Sequence, residues 1–433
     1  MDPITIGYLS LAAIAVAIYA GLHVAIALAG VSLLGVWAIT GKLTLAMNFV
    51  ALAATDSIAE YTFGVVPLFV LMGLAVSESG FGRDTFAIIA RGMRRWRAGL
   101  GVATVLSNAV FAAITGVSIA SAAVFSKVAV PEMIRAGTDR GLAGGVVAGS
   151  SVLGMLIPPS LLLILFAILT DSSVGDLFIG GIGPGLLLAF AYIAYLTILG
   201  IARPGLFNLP SDFRSSDDVP TRAILPILGL AGTVLSGIYL GFFTPTEAGA
   251  VGAAAALLLG VLMRRIGSRQ AWRIAVQTGH ITAAVSFLII GASIYSRMLA
   301  YSGLPAAITE AAIGSGIGPT EFLLLFALIL VVLGTVLDSS SIMLVTVPLA
   351  FPITQEMGID IVHFGLITVL AVEVGLLTPP LGLSVFVVHA TLRDTGITLG
   401  EVFRGAAPFA LIMAASLVLL IFVPQIATGL LGR

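Results

Sequence analysis

Apolar residues in this chain come as runs, at 4–19, 22–39, 65–76, 100–114, 120–134, 142–153, 161–169, 185–201, 223–240, 248–263, 274–295, 322–337, 343–353, 364–374, 383–390 and 409–424, punctuated by Gly, Pro or Arg. In lipid every backbone polar group must be satisfied inside the chain, and continuous runs achieve this as helices. With 59% apolar and 9% charged residues, there is too little charge to cover a soluble globule of 433 residues. The mean hydropathy of +1.15 points the same way. At roughly 20 residues per span the length accommodates about ten to twelve membrane segments. The first run lacks a basic leader and a small-residue cleavage site, so it reads as a retained span.

Several runs are too short to cross a bilayer and end in Gly, Ser or Pro clusters, the pattern of re-entrant hairpins and broken helices. The one long polar stretch, 203–222, carries Asp212, Arg214, Asp217 and Asp218 and reads as a linker between two halves. Sliding one half over the other by 221 residues aligns 118–170 with 339–391 at 13 identities, including Ser118 with Ser339, Gly154 with Gly375, Pro158 with Pro379 and Pro159 with Pro380. Equivalent broken segments in two halves are the signature of a secondary transporter whose site lies at the repeat interface. The charge pattern makes the repeats inverted. The first hairpin is entered after Arg91, Arg94, Arg95 and Arg97 and left through Arg135 and Arg140, whereas the matching second-half loops carry Glu310, Glu321, Glu356 and Asp360. Positive residues stay inside, so the first hairpin opens to the cytoplasm and the second to the other face. Propagated along the chain, this puts 203–222 and 264–273 inside, and 171–176, 244–247 and both termini outside.

The expected fold is therefore an all-α polytopic membrane protein with inverted repeats, two re-entrant hairpins and two broken helices. Its divisions are scaffold helices at 1–97, a first transport unit at 98–201 (hairpin 98–134, broken helix 141–170), a cytoplasmic linker at 202–222, scaffold at 223–300, a second transport unit at 301–391 (hairpin 320–355, broken helix 362–391), and a C-terminal loop and helix at 392–433.

Chemistry concentrates where the runs break. The first hairpin should turn near Thr115-Gly116-Val117-Ser118-Ile119-Ala120-Ser121 and the second at Asp338-Ser339-Ser340-Ser341. Na⁺ is a hard cation, and hydroxyls with the carbonyls of an unwound helix end give it oxygen ligands at little cost in charge. Small residues there also serve close helix packing. Gly154-Met155-Leu156-Ile157-Pro158-Pro159-Ser160 and Gly375-Leu376-Leu377-Thr378-Pro379-Pro380 set tandem prolines in apolar runs, removing donors and freeing carbonyls a turn earlier. These are either kinks or a cradle for a cation or substrate. Asp338 is the best single ion-ligand candidate, against a capping role. Glu373 is a proton or Na⁺ group or a carboxylate bonded to helix ends, and Lys127 either snorkels or lies on an anion's path. In Thr244-Pro245-Thr246-Glu247, Thr246 reads as a helix N-cap with Glu247 in the first turn. No Walker A loop, His-Glu-x-x-His or Gly-x-Ser-x-Gly occurs, and with no Cys and four His an enzyme, zinc or haem site finds no support.

On Gly237–Ala248 with its Thr-Pro-Thr-Glu-Ala, Ile157-Pro158-Pro159-Ser160, the Gly-Ile-Gly-Pro-Gly ending at Gly185, and Leu377 to Gly382, the chain resembles the large membrane subunit, DctM type, of tripartite ATP-independent periplasmic (TRAP) transporters. The resemblance implies a Na⁺-coupled, elevator-type importer in a bacterial or archaeal inner membrane, without a cofactor beyond Na⁺ as coupling ion. It implies two partners, a small four-helix membrane subunit and a periplasmic binding protein that delivers an organic acid. Because Met1 leads at once into the first run, the small subunit is expected on a separate chain. The family's sodium sites map to Ser118 and Ser121 with Gly154, Pro158 and Ser160, and to Asp338, Ser339 and Ser340 with Gly375, Thr378 and Pro379; Ser118, Ser160, Ser341 and Thr378 are the expected substrate contacts. Val117-Ser118-Ile119 departs from the consecutive small or hydroxyl residues of many relatives. A stand-alone Na⁺- or H⁺-coupled anion carrier of the same architecture is the alternative.

Overall fold

Apolar runs closed by glycine, proline or a capping side chain fold as helices here, and the computed structural model of the chain describes them over residues 2–59, 61–93, 95–207 and 221–432. Arg94 and the linker residues Asp212, Arg214, Asp217 and Asp218 lie outside the described residues. Among the described residues there is no strand, only an isolated bridge between Thr138 and Phe207.

Among the described residues, five stretches suffice by length and apolarity to cross a membrane: Arg140–Thr170, Val174–Ala202, Pro245–Leu262, Ser268–Ser302 and Leu399–Phe422. The bent pair Val65–Glu78 and Phe81–Gly92, at 60°, makes a sixth. Eight further apolar helices among the described residues run 10–17 residues, with Pro3–Tyr19, Val24–Thr40, Gly99–Thr115 and Ile361–Leu377 at 17.

One order of elements occurs twice. A helix, Val65–Glu78 or Ser268–Ser302, is followed by a left-handed glycine (Gly80, φ 72°; Gly303, φ 74°) and then by a short helix, Phe81–Gly92 or Leu304–Gly314. Next come a hairpin, Gly99–Thr115 with Ser118–Arg135 or Pro319–Gly334 with Ser339–Glu356, and a broken helix. The first broken helix runs Arg140–Ser151, Leu153–Leu156 and Leu161–Thr170, the second Ile361–Leu377 and Leu383–Thr391. Val174–Ala202 and Leu399–Phe422 close the two sets. Identical residues recur at matching joints: Asp139 accepts from the Leu142 N–H at 2.9 Å, and Asp360 from Val362 and His363 at 2.9 and 3.0 Å, each capping the first turn of its broken helix.

Small residues decide how closely the elements pack, as is general where lipid supplies no hydrophobic drive between helices. Arg140–Ser151 lies backbone to backbone against Leu399–Phe422: a Cβ on Gly145 would fall 2.0 Å from the Gly405 carbonyl carbon, leaving room for glycine alone. Arg265 ties the end of the Pro245–Leu262 segment to the short helix Phe81–Gly92. Its guanidinium pairs with Asp84 at 2.5 Å, donates to the Ser79 carbonyl at 3.0 Å and lies 5.3 Å from the Phe81 ring centroid. At Thr244–Glu247 the cap is Thr244, not Thr246. Pro245 takes the first helical position, which suits its missing N–H, and Thr244 and Glu247 form a reciprocal capping box.

Candidate ion and substrate site

Each tip is made by the residues that stop its helix. Gly116 ends the first arm in the left-handed conformation (φ 64°), Val117 is extended, and Ser118 begins the return arm. A Cβ at Gly116 would sit 2.5 Å from the Pro159 carbonyl oxygen, so the tip rests directly on the double-proline break. The Leu161 N–H donates to the Gly116 carbonyl at 3.2 Å. In the second repeat the Leu381 N–H donates to the Thr335 carbonyl at 3.2 Å, so both breaks grip the end of the first hairpin arm. The second turn comes earlier than the serine run suggested: Pro319–Gly334 stops at a glycine, Thr335 to Asp338 turn, and Ser339–Ser341 already belong to the first turn of Ser339–Glu356.

Both breaks withhold donors from the carbonyls a turn earlier, since Pro158, Pro159, Pro379 and Pro380 carry no N–H. At the first, Ser160 spans the gap: its hydroxyl donates to the Met155 carbonyl at 2.5 Å and accepts from the Leu163 N–H at 3.3 Å, capping Leu161–Thr170. At the second, the Thr378 hydroxyl donates to the Val374 carbonyl at 2.8 Å and its N–H to Gly375 at 2.9 Å. Gly375 packs against Gly334 so closely that a Cβ on it would lie 2.5 Å from the Gly334 Cα.

A cavity of about 190 Å³ lies between the tips. Ser118 reaches it from one hairpin and Asp338, Ser339 and Ser340 from the other; Ser384 adds a hydroxyl, and the remaining walls are largely apolar. The helix Ser268–Ser302 closes one side through Val285 and Ile289. Residues read from sequence as two separate sites thus share one space. The others are engaged elsewhere. Ser121 is wholly buried and donates to the Asn108 Oδ1 at 2.6 Å, while the Asn108 Nδ2 donates to the Ser150 hydroxyl at 2.6 Å, a node joining both arms of the first hairpin to the broken helix. Ser341 donates to Asp338, whose other oxygen accepts the Ser341 N–H at 3.1 Å, so Asp338 caps its helix while facing the cavity. Gly154, Pro158, Ser160, Gly375, Thr378 and Pro379 do not line this cavity.

Asn108, Ser150, Thr335 and Ser384 were not picked out as site residues. Only Asn108, an amide in an apolar arm, carried a visible signal. A second, more polar cavity of about 260 Å³ shares Ile289 with the first; Asp56 and Arg297, paired at 2.9 Å, line it with Asp171 and Ser172. Lys127 is exposed. Among the described residues no three His, Asp or Glu converge as a metal site, so any ion held at the tips would meet hydroxyls, carbonyls and single carboxylates.

The family model for the DctM component of tripartite ATP-independent periplasmic transporters matches residues 11–426. The C4-dicarboxylate TRAP transporter large permease protein DctM of Pseudomonas aeruginosa is 33% identical over 384 residues, 88% of each chain. The ectoine TRAP transporter large permease protein TeaC of Halomonas elongata is 31% identical over 363 residues, 84% of each. Among solved structures, that of the YdaH transporter of Alcanivorax borkumensis shares the fold, with a TM-score of 0.63 at 17% identity over 89% of each chain.

Proposed function

The chain belongs to the DctM component family of tripartite ATP-independent periplasmic transporters, and from that premise we propose that it is the large permease subunit of a Na⁺-coupled importer of a small carboxylate. It is a multi-pass membrane protein and a transporter component, not an enzyme. Relatives named for C4-dicarboxylates and for ectoine support a small carboxylate as the substrate class. In this reading the protein sits in an inner membrane with both termini on the periplasmic side. It works with a small four-helix subunit and a periplasmic binding protein that delivers the acid.

The observation that carries the proposal is the single cavity shared by Ser118 of one tip and Asp338, Ser339 and Ser340 of the other. Hydroxyl and carboxylate oxygens suit Na⁺, and the helix that begins at Ser339 points its positive end at the space where a substrate carboxylate would lie. Ions that order the tips then favour the substrate that needs ordered tips, and the coupling is reciprocal. The hairpins and broken helices move together, as an elevator, against the remaining helices. The arginines flanking the first hairpin, absent around the second, support an inverted arrangement.

The test is uptake of succinate and other small carboxylates into proteoliposomes under an inward Na⁺ gradient, or with K⁺ in its place, with the small subunit and binding protein present or omitted. Uptake that needs Na⁺ and both partners, and falls in Ser118→Ala and Asp338→Ala, is expected. Uptake without the binding protein would identify a stand-alone carrier instead, and uptake indifferent to Na⁺ would remove the coupling.

A further inference from the structure

Glu373 lies within the second broken helix, Ile361–Leu377, and is wholly inaccessible to solvent. One carboxylate oxygen accepts from the Ser339 hydroxyl at 3.4 Å, and the other has no hydrogen-bond partner. The ion pairs among the described residues join Arg135 to Glu132, Arg265 to Asp84, Arg273 to Glu78 and Arg297 to Asp56, and none includes Glu373. A carboxylate removed from water and met by one long hydrogen bond requires a counter-charge or a proton. Ser339 opens the return arm of the second tip and lines the cavity, as does Leu376, one turn beyond Glu373. In the matching register the first repeat holds Ser118 and Val152, both buried, so a carboxylate stands behind the tip serine in the second repeat only.

We propose that Glu373 is the counter-charge of a monovalent cation bound at the second hairpin tip, sharing that cation with the Ser339 hydroxyl. The first tip, whose register holds valine, receives its cation through neutral oxygens alone. The two cation sites are thereby unequal, with the second the tighter. The inference rests on the Na⁺-coupled reading above, and goes beyond it in assigning a residue and an order of affinity.

The experiment titrates NaCl, at constant total NaCl plus KCl, against the reconstituted full-length transporter, and reads both thermal unfolding and the Na⁺ concentration for half-maximal uptake. Wild type should be stabilised by Na⁺ with a cooperative uptake response. Glu373→Gln, close to isosteric, should lose the high-affinity stabilisation, need at least tenfold more Na⁺ for half-maximal uptake, and respond with a Hill coefficient near one. A Gln variant that titrates as wild type overturns the inference alone. So does one that loses only a pH dependence while its Na⁺ titration is unchanged, which would make the buried group a proton carrier. Should the Gln variant fail to fold, Glu373→Asp, which keeps the charge on a shorter stem, should show severalfold weakened Na⁺ stabilisation, and an unchanged titration would overturn the proposal. Wild type that ignores Na⁺ in both readouts would remove the Na⁺ reading itself and this inference with it.

Discussion

Replacing Gly375 by alanine should drive the second hairpin off its broken helix. The added Cβ would lie 2.5 Å from the Gly334 Cα and 2.7 Å from the Val331 carbonyl oxygen, where ordinary van der Waals contact begins at 3.4 Å. Both obstacles are backbone of the arm Pro319–Gly334, so no side chain can rotate aside, and the arm must retreat by roughly 0.9 Å. Overpacking of this kind costs about 1–3 kcal/mol. Alanine's better helix propensity returns about 1 kcal/mol, leaving a net loss of about 0–2 kcal/mol. The displaced arm leads into Thr335–Asp338, so the same shift should also disturb the tip and raise the Na⁺ concentration needed for uptake. The assay is thermal unfolding of the purified protein together with uptake, compared across three variants. Gly154→Ala, at the repeat-equivalent position, meets the Val117 carbonyl carbon at 3.2 Å and the Ser118 nitrogen at 3.3 Å and should do less harm. Gly279→Ala, inside the helix Ser268–Ser302 with nothing within 4 Å of the new Cβ, should keep the propensity gain of up to about 1 kcal/mol and leave uptake unchanged. A Gly375→Ala protein as stable and as active as Gly279→Ala would refute the reasoning.

Other substitutions separate local from long-range roles. Asn108→Ala removes the partner of the Ser121 and Ser150 hydroxyls at a fully buried node, and should cost about 1–3 kcal/mol in chemical or thermal unfolding. Asp338→Asn keeps a good N-cap and should unfold as wild type, yet need more Na⁺ for uptake; unchanged Na⁺ dependence would leave Asp338 a cap and nothing more. Thr244→Ala breaks the exposed capping box and should lower stability by about 1 kcal/mol without altering Na⁺ dependence, measured by the same two assays.

Much of this fold is legible because the membrane makes the rules strict. Continuous apolar runs have to be helices, and the places where they stop are chosen by residues with local chemistry: Gly116 supplies a left-handed backbone, Pro158 and Pro379 remove donors, and Asp139 and Asp360 cap their helices. The recurrence of Asp139 as Asp360, Gly154 as Gly375 and Pro158 as Pro379, 221 positions apart, marks two equivalent units before any contact is known. Element ends that depend on competing stop signals were read less well. The serine run at 339–341 looked like a turn, but Gly334 ends the preceding helix and Asp338 caps the next one, drawing the serines into its first turn. Thr246 lost the cap to Thr244 for the same kind of reason, because Pro245 is better placed as the first helical residue.

The sequence by itself therefore determined that this chain lives in lipid, that it is helical, and where its helices break, since each of these follows from composition and from residues within a turn of one another. Only the tertiary structure decided which broken ends meet. Ser118 and Asp338 share a cavity across more than two hundred residues, Ser121 is drawn away from it by Asn108, and Glu373 lies behind Ser339, 34 residues away. Contacts of this kind depend on how closely whole helices approach. That closeness is set by glycine against glycine, at Gly145 with Gly405 and Gly334 with Gly375, a steric fit between distant segments that no local pattern encodes.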